Sequence, residues 1–241
     1  MISVLKRELV GYFKNATAYG VFAIYAFISA MFFCYFVFLK NTSFMGNLFG
    51  MWLFFVEIIV VSILAMRFFS EEKKNRTDQL LYTTPVKISG IVLGKFFAGM
   101  ILFICCTLIN LVYVFIIDAF GTPDWGTIFT QFFGTFLLGS AMIAIALFVS
   151  SLTENPLVAA GGTAVVFILL MMAEIAAGFI ASNVPSWLLW LPKGLENMNV
   201  FYWFDNFALG IFSLPAVVFY LTVTAAFLFL TARVLERRRW R

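Results

Sequence analysis

The sequence predicts an all-α integral membrane protein with six transmembrane helices. Three observations carry that prediction. The 241 residues are 63% hydrophobic and only 12% charged, where a soluble domain carries about 25% charged residues. Six apolar runs each approach the roughly 20 residues needed to cross a bilayer core. The basic residues fall on alternate connections between those runs, as the positive-inside rule requires. No polar stretch is long enough to fold a soluble domain, so residues 1–241 read as one transmembrane domain.

Ile2, Leu5, Leu9, Tyr12 and Phe13 recur at helical spacing, while Lys6, Arg7, Glu8 and Lys14 occupy other faces. That pattern predicts an N-terminal elbow helix lying in the membrane interface. The next apolar run is too long for the core of a cleavable signal peptide, so none is expected. The six spans are read at 17–39, 50–69, 94–117, 127–151, 157–181 and 214–235. Small residues cluster at Gly134 and Gly139 in the fourth span and at Ala159, Ala160, Gly161 and Gly162 in the fifth. They suit close helix packing.

The stretch 67–95, RFFSEEKKNRTDQLLYTTPVKISGIVLGK, is the most polar connection. Ser70 is placed to cap a helix opened by Glu71 and Glu72. Pro85 should end the helix that carries Leu80, Leu81 and Tyr82, and Ser89 and Gly90 then open the third span. A short amphipathic helix between two spans is the result. The connection between spans five and six is long and apolar, with Trp187, Trp190, Tyr202 and Trp203 suited to the headgroup level. Pro185, Pro192 and Gly194 interrupt it, which predicts short external re-entrant helices.

With both termini in the cytoplasm, all sixteen Lys and Arg residues except Lys40 and Lys193 face that side. The excess of cations therefore faces lipid headgroups and gives no reason to invoke nucleic acid. Two carboxylates lie inside spans. Glu57 is about 15 Å along a helix from Arg67, near the midplane, and Glu174 lies nearer the outer side. Intramembrane charge is costly and points to function, which makes both residues candidates for a translocation pathway.

Several chemistries are excluded or unsupported. The chain has no histidine, so the usual general base and commonest metal ligand are missing. Cys34, Cys105 and Cys106 sit in apolar runs and read as small buried hydrophobes. There is no phosphate-cradling G-x-x-x-x-G-K-[ST] loop, no G-x-S-x-G elbow and no metal-ligand spacing. No catalytic residue, cofactor-binding residue or metal site is expected in this chain.

The stretch FFSEEKKNRTDQLLYTTPVKISGIVLGKFFAG resembles the cytoplasmic loop of ABC transporter permeases of the type-2 export class, and looks most like the branch that includes the gliding-motility permease. The order is Glu71-Glu72-Lys73, Thr77, Leu80-Leu81, Thr83-Thr84, Pro85-Val86 and Gly94-Lys95. Many relatives have Gly-Thr and then an acid before the Leu pair; here the run is Arg76-Thr77-Asp78, so the Gly is replaced.

The resemblance implies a coupling helix that docks in a groove on a separate ATP-binding subunit. Arg76, Thr77, Asp78, Leu80, Leu81, Tyr82, Pro85 and Lys87 would form the docking set, with apolar anchors and a charged rim. It implies the membrane-spanning subunit of an exporter, paired with a second copy or a paralogous permease, in a bacterial inner membrane and surrounded by lipid. ATP and Mg would belong to the partner ATPase. Two alternatives from other classes stay open. One is a channel or ion-coupled transporter working without ATP. The other is a membrane anchor or assembly protein that recruits a cytosolic partner.

Overall fold

The computed structural model describes residues 2–14, 16–35, 51–77, 88–120, 124–183, 194, 197 and 199–239. Among the described residues all regular structure is helical. The elements are α1 (Ile2–Lys14), α2 (Ala16–Cys34) and α3 (Met51–Ala65), which runs on through a π-helical turn (Met66–Ser70) and a last turn (Glu71–Lys74). Then come α4 (Ile88–Leu108), α5 (Asn110–Phe120), α6 (Trp125–Leu152) and α7 (Pro156–Asn183). A 3-10 turn (Tyr202–Phe204) leads into the short α8 (Asp205–Ala208), and α9 (Leu214–Arg239) closes the chain. Among the described residues five helical stretches are long and apolar enough to cross a membrane, or six when α1 and α2 are taken as one pair bent by 68°.

The second and third spans reach further than hydropathy indicated. α3 continues to Lys74 and α4 begins at Ile88, so Arg67, Lys73 and Lys95 are helix residues and not part of a connecting loop. Ser70 is not an N-cap. Its backbone is helical (φ −67°, ψ −38°), its side chain makes no capping bond, and the helix passes straight through it. A π turn widens the helix and disturbs its i→i−4 ladder, and Ser150 of α6 answers the disturbance. Its Oγ accepts from the N–H of Phe69 at 3.0 Å and of Ser70 at 3.3 Å, and the Ser70 hydroxyl donates to the Ser150 carbonyl at 3.1 Å.

α6 is the central helix. It touches α3, α4, α7, α8 and α9, most extensively α9. The best spanning windows of α3 and α6 are each 72% buried, against 18% for α7 and 22% for α9, so α7 and α9 present most of their apolar surface outward. Two glycines explain the close approaches. A Cβ on Gly139 would lie 2.1 Å from the Phe103 ring, and one on Gly134 would lie 2.5 Å from Cβ of Phe207. The fifth-span cluster behaves differently: Ala159 is buried and Gly162 meets Val149, but Gly161 has nothing within 4 Å of its Cβ position. The cysteines also divide. Cys106 is buried as expected, Cys105 is half-buried and Cys34 is exposed.

α6 and α9 run parallel, because Ser140 pairs with Thr224 at 3.1 Å and Phe148 stacks edge-on against Phe227 at 5.6 Å. Lys73, at the end of α3, meets the end of α6, and Glu72 meets both α1 and the beginning of α4. Therefore α1 and the C-terminal end of α9 lie at the same end of the bundle. At the opposite end the segment 199–210 folds back into the bundle. Phe201, Phe204 and Phe207 are buried, and Phe54 of α3 sits 5.0 Å from the rings of Phe201 and Phe204. Backbone buried this way must find partners. The Val200 carbonyl accepts from the Tyr220 hydroxyl at 2.8 Å, and the Ala208 carbonyl accepts from Gln131 Nε2 at 2.8 Å. Trp187 and Trp190, with Pro185 and Pro192, lie outside the described residues.

Candidate functional site

The described part of the polar connection is a helix end with a defined exit. The Thr77 N–H donates to the Glu72 carbonyl at 2.9 Å and the Arg76 N–H to the Lys73 carbonyl at 3.0 Å. Those two bonds, with Arg76 at φ 55°, make a Schellman motif in which Arg76 takes the left-handed position usually given to Gly. The bend that Gly would supply is thus kept by Arg76, and the Thr77 hydroxyl reinforces it by donating to the Glu72 carbonyl at 3.2 Å.

Four helices meet immediately before that exit. Lys95 of α4 is 1% exposed and reaches Glu8 of α1 at 3.1 Å and Glu72 at 3.0 Å. Arg7 also contacts both carboxylates, at 2.8 and 3.0 Å. Burial alone would raise the Glu8 carboxyl, but Lys95 and Arg7 outweigh it and hold the group below its ordinary value. Arg67 pairs with Glu71 at 3.1 Å one turn on, and its guanidinium lies 5.0 Å over the Tyr12 ring. Lys73, buried, donates to the carbonyls of Ser151 and Thr153, so an ammonium sits where the α6 dipole is negative. A polar cavity of about 260 Å³ opens beside this cluster, lined by Arg7, Glu8, Tyr12, Arg67, Glu72 and Thr77 among others.

Of the expected docking set, only Arg76 and Thr77 belong to the described residues, and they lie at this helix exit. Asp78, Leu80, Leu81, Tyr82, Pro85 and Lys87 lie outside them, as does the helix expected to carry them. The pathway candidates are also separated by what is described. Glu57 of α3 is 2% exposed, and its Oε2 has no hydrogen-bond partner. Glu174 belongs to α7, and its side chain lies outside the described residues.

Sequence reasoning missed Glu8, Lys73, Lys95 and Ser150 as one joint. A signal was present: Lys95 stands in the apolar run IVLGKFFAG, and a cation in such a run demands a partner. Its partners lie 87 residues away in Glu8 and 23 in Glu72, and spacing cannot name them. Also missed were Tyr25 and Asn110, paired inside the bundle at 2.7 Å. Among the described residues no group of three or more His, Cys, Asp or Glu side chains could hold a metal ion. The cluster at the exit offers mechanical linkage between helices and no nucleophile–base pair.

A family model described as ABC-2 family transporter protein matches residues 8–234. No match was found among curated proteins.

Proposed function

The chain belongs to the ABC-2 family of transporter proteins, and from that premise we propose that it is the permease subunit of an exporter whose ATP hydrolysis takes place in a separate ABC subunit. Membership makes it a multi-pass membrane protein of a transporter, with an ABC ATPase as the general kind of partner. The finer reading is ours. Residues 78–87 form a coupling helix, Leu80, Leu81 and Tyr82 enter a groove on the ATPase, and Arg76, Asp78 and Lys87 set its orientation.

One observation carries this reading. The helix that leads into the docking segment is joined at its last two turns to three others: to α1 through Arg7–Glu72, to α4 through Lys95–Glu72 and to α6 through Ser150 and Lys73. A push on residues 78–87 would therefore act on four helices together. Such rigid movement is the physical requirement for converting closure of a partner into opening of a pathway.

The remaining particulars extend the same proposal. Two permease copies, identical or paralogous, enclose the pathway in a bacterial inner membrane with both termini cytoplasmic, and α1 serves as the interfacial elbow. Glu57 and Glu174 belong to the pathway. The resemblance of the loop pattern supports assigning the chain to the gliding-motility branch.

The first test is purification from native membranes in mild detergent, wild type beside Leu80→Asp/Leu81→Asp, with mass spectrometry. A soluble ATPase should accompany the wild type and be lost from the correctly inserted variant. Wild type arriving without an ATPase removes the engine from the proposal. The pathway assignment is tested separately: Glu57→Gln and Glu174→Gln should each slow transport several-fold, and unchanged rates in both would exclude them.

A further inference from the structure

The cavity at the helix exit has charges of both signs on its wall. Its volume is about 260 Å³, and Arg7 and Arg67 line it together with Glu8, Glu71 and Glu72. It lies where α1 packs on the end of α3. Arg7 reaches Glu72 at 3.0 Å, and the Arg67 guanidinium sits 5.0 Å from the centre of the Tyr12 ring. Gly11, Asn75 and Thr77 also line it and bring no charge. Pockets for drug-sized molecules run from about 300 to 1,000 Å³, so this one suits a smaller, polar group.

Part of its bonding capacity is already used. Lys95 holds Glu8 and Glu72 from inside the bundle, and Arg7 contacts both as well. Glu71 differs. Among the described residues only its Oε2 is engaged, by Arg67 at 3.1 Å, and its side chain is 45% exposed against 12% for Glu8 and 19% for Glu72. Arg7 makes both of its contacts through Nη2, which among the described residues leaves the hydrogens of Nε and Nη1 without an acceptor. Cationic donors and an anionic acceptor with spare capacity thus share one small cavity. A simple anion there would meet three carboxylates, and a simple cation two guanidiniums. A group that carries both a phosphate and an ammonium suits the whole wall. Guanidinium is the strongest side-chain partner for phosphate, and a primary ammonium has three hydrogens to give a carboxylate and an amide oxygen.

The outer side of α1 indicates where such a group comes from. Ile2, Val10 and Phe13 are exposed apolar residues that fall on one face at helical spacing. That is the face a helix lying in the membrane interface gives to acyl chains, so the cavity opens at the level of lipid headgroups. We propose that the cavity between α1 and the end of α3 binds the headgroup of an ethanolamine phospholipid, with its phosphate on Arg7 and its ammonium on Glu71 and Asn75. A choline headgroup has no N–H to donate, and a glycerol headgroup has no cation. The proposal rests on the membrane reading of the chain and not on ATPase docking.

The test offers the purified full-length chain, in mild detergent and without an ATPase, equal amounts of phosphatidylethanolamine, phosphatidylcholine and phosphatidylglycerol. Native mass spectrometry counts the lipids retained. The wild type should keep the ethanolamine lipid several-fold over the other two. Glu71→Gln should reduce it to the level of the choline lipid. Gly11→Phe should abolish the preference by filling the cavity, since a Cβ at Gly11 has nothing within 4 Å and the new side chain enters open space. If either variant fails to fold, Asn75→Leu decides, and it too should lose the preference. Equal retention of the three lipids overturns the proposal. So does a preference for the glycerol lipid, which would mark a plain anion site, or a preference that none of the variants alters, which would put the lipid elsewhere. Competition by chainless glycerophosphoethanolamine at the lipid's own concentration would make the ligand a soluble phosphate ester and overturn the lipid assignment.

Discussion

Arg76 holds a left-handed backbone (φ 55°) at the end of the helix that leads toward the proposed docking segment. For an L-residue with a side chain that conformation costs about 1–2 kcal/mol, and the two Schellman bonds offset part of it. The sequence shows the family's Gly replaced by Arg76, but a replacement by itself does not decide whether the bend is kept. The bend stays because the hydrogen bonds that define it involve backbone groups of Glu72 and Lys73, which any residue at 76 leaves available. Arg76→Gly should therefore be neutral to stabilising by up to about 1 kcal/mol, the relief of strain being partly cancelled by the freedom glycine has when unfolded. Arg76→Val should lose roughly 1 kcal/mol or more, since a β-branched side chain tolerates this region worst. Thermal unfolding of both variants in the same detergent would check the pair. A Val variant as stable as the wild type would mean that the turn is not held as described.

At the scale of elements, the joint between α1, α3, α4 and α6 rests on buried charge. Lys95 at 1% exposure carries Glu8 and Glu72 together, and removing one member of a buried group typically costs about 3–5 kcal/mol because the others are left uncompensated. Lys95→Met should therefore release α1, seen as faster amide hydrogen exchange over residues 2–14. The triple variant Lys95→Met/Glu8→Gln/Glu72→Gln should restore much of the protection, because no buried charge is left orphaned; Arg7 also loses both partners but its side chain is exposed. If the single and triple variants exchange alike, the joint is held by apolar packing instead. The Glu8 carboxyl adds a pH dependence of known sign. Its value is lowered on folding, so its contribution is complete above the ordinary carboxylate range and is lost as pH falls through its folded value. Acid should thus loosen α1 before it disturbs α6. None of this joint was legible from spacing, although each member was visible as a residue. The elements themselves were legible where hydropathy alone defines them, as in α6 and α9. They were under-read where charged residues extend them, as in the last turn of α3, because the cross-helix ion pairs of Glu72 with Arg7 and Lys95 let the helix run on beyond residue 69, where a hydropathy window ends.

At the scale of the whole molecule, parity and charge make separate statements. Packing puts α1 and the end of α9 at one end of the bundle, with α6 and α9 parallel and both running toward the Lys73–Ser151 contact. That is the arrangement of a chain with an even number of crossings. Packing alone does not say which face of the membrane this end meets; the proposal that it is the cytoplasmic face rests on charge. Arg67, Lys73 and Lys95 are engaged within the protein, so their charge is spent there. The exposed cations at the same end still include Lys6, Arg7, Lys14, Lys74, Arg76, Arg233 and Arg237, and basic residues close to span ends are retained in the cytoplasm. In a variant with Cys34, Cys105 and Cys106 replaced by Ala, a cysteine at Lys74 should escape a membrane-impermeant thiol reagent in intact cells and react after permeabilisation. A cysteine at Asn41, in the first connection between spans, should react in intact cells. The reverse pattern would turn the protein over in the membrane, put residues 78–87 on the face without ATP, and remove the basis for a cytosolic motor acting through them.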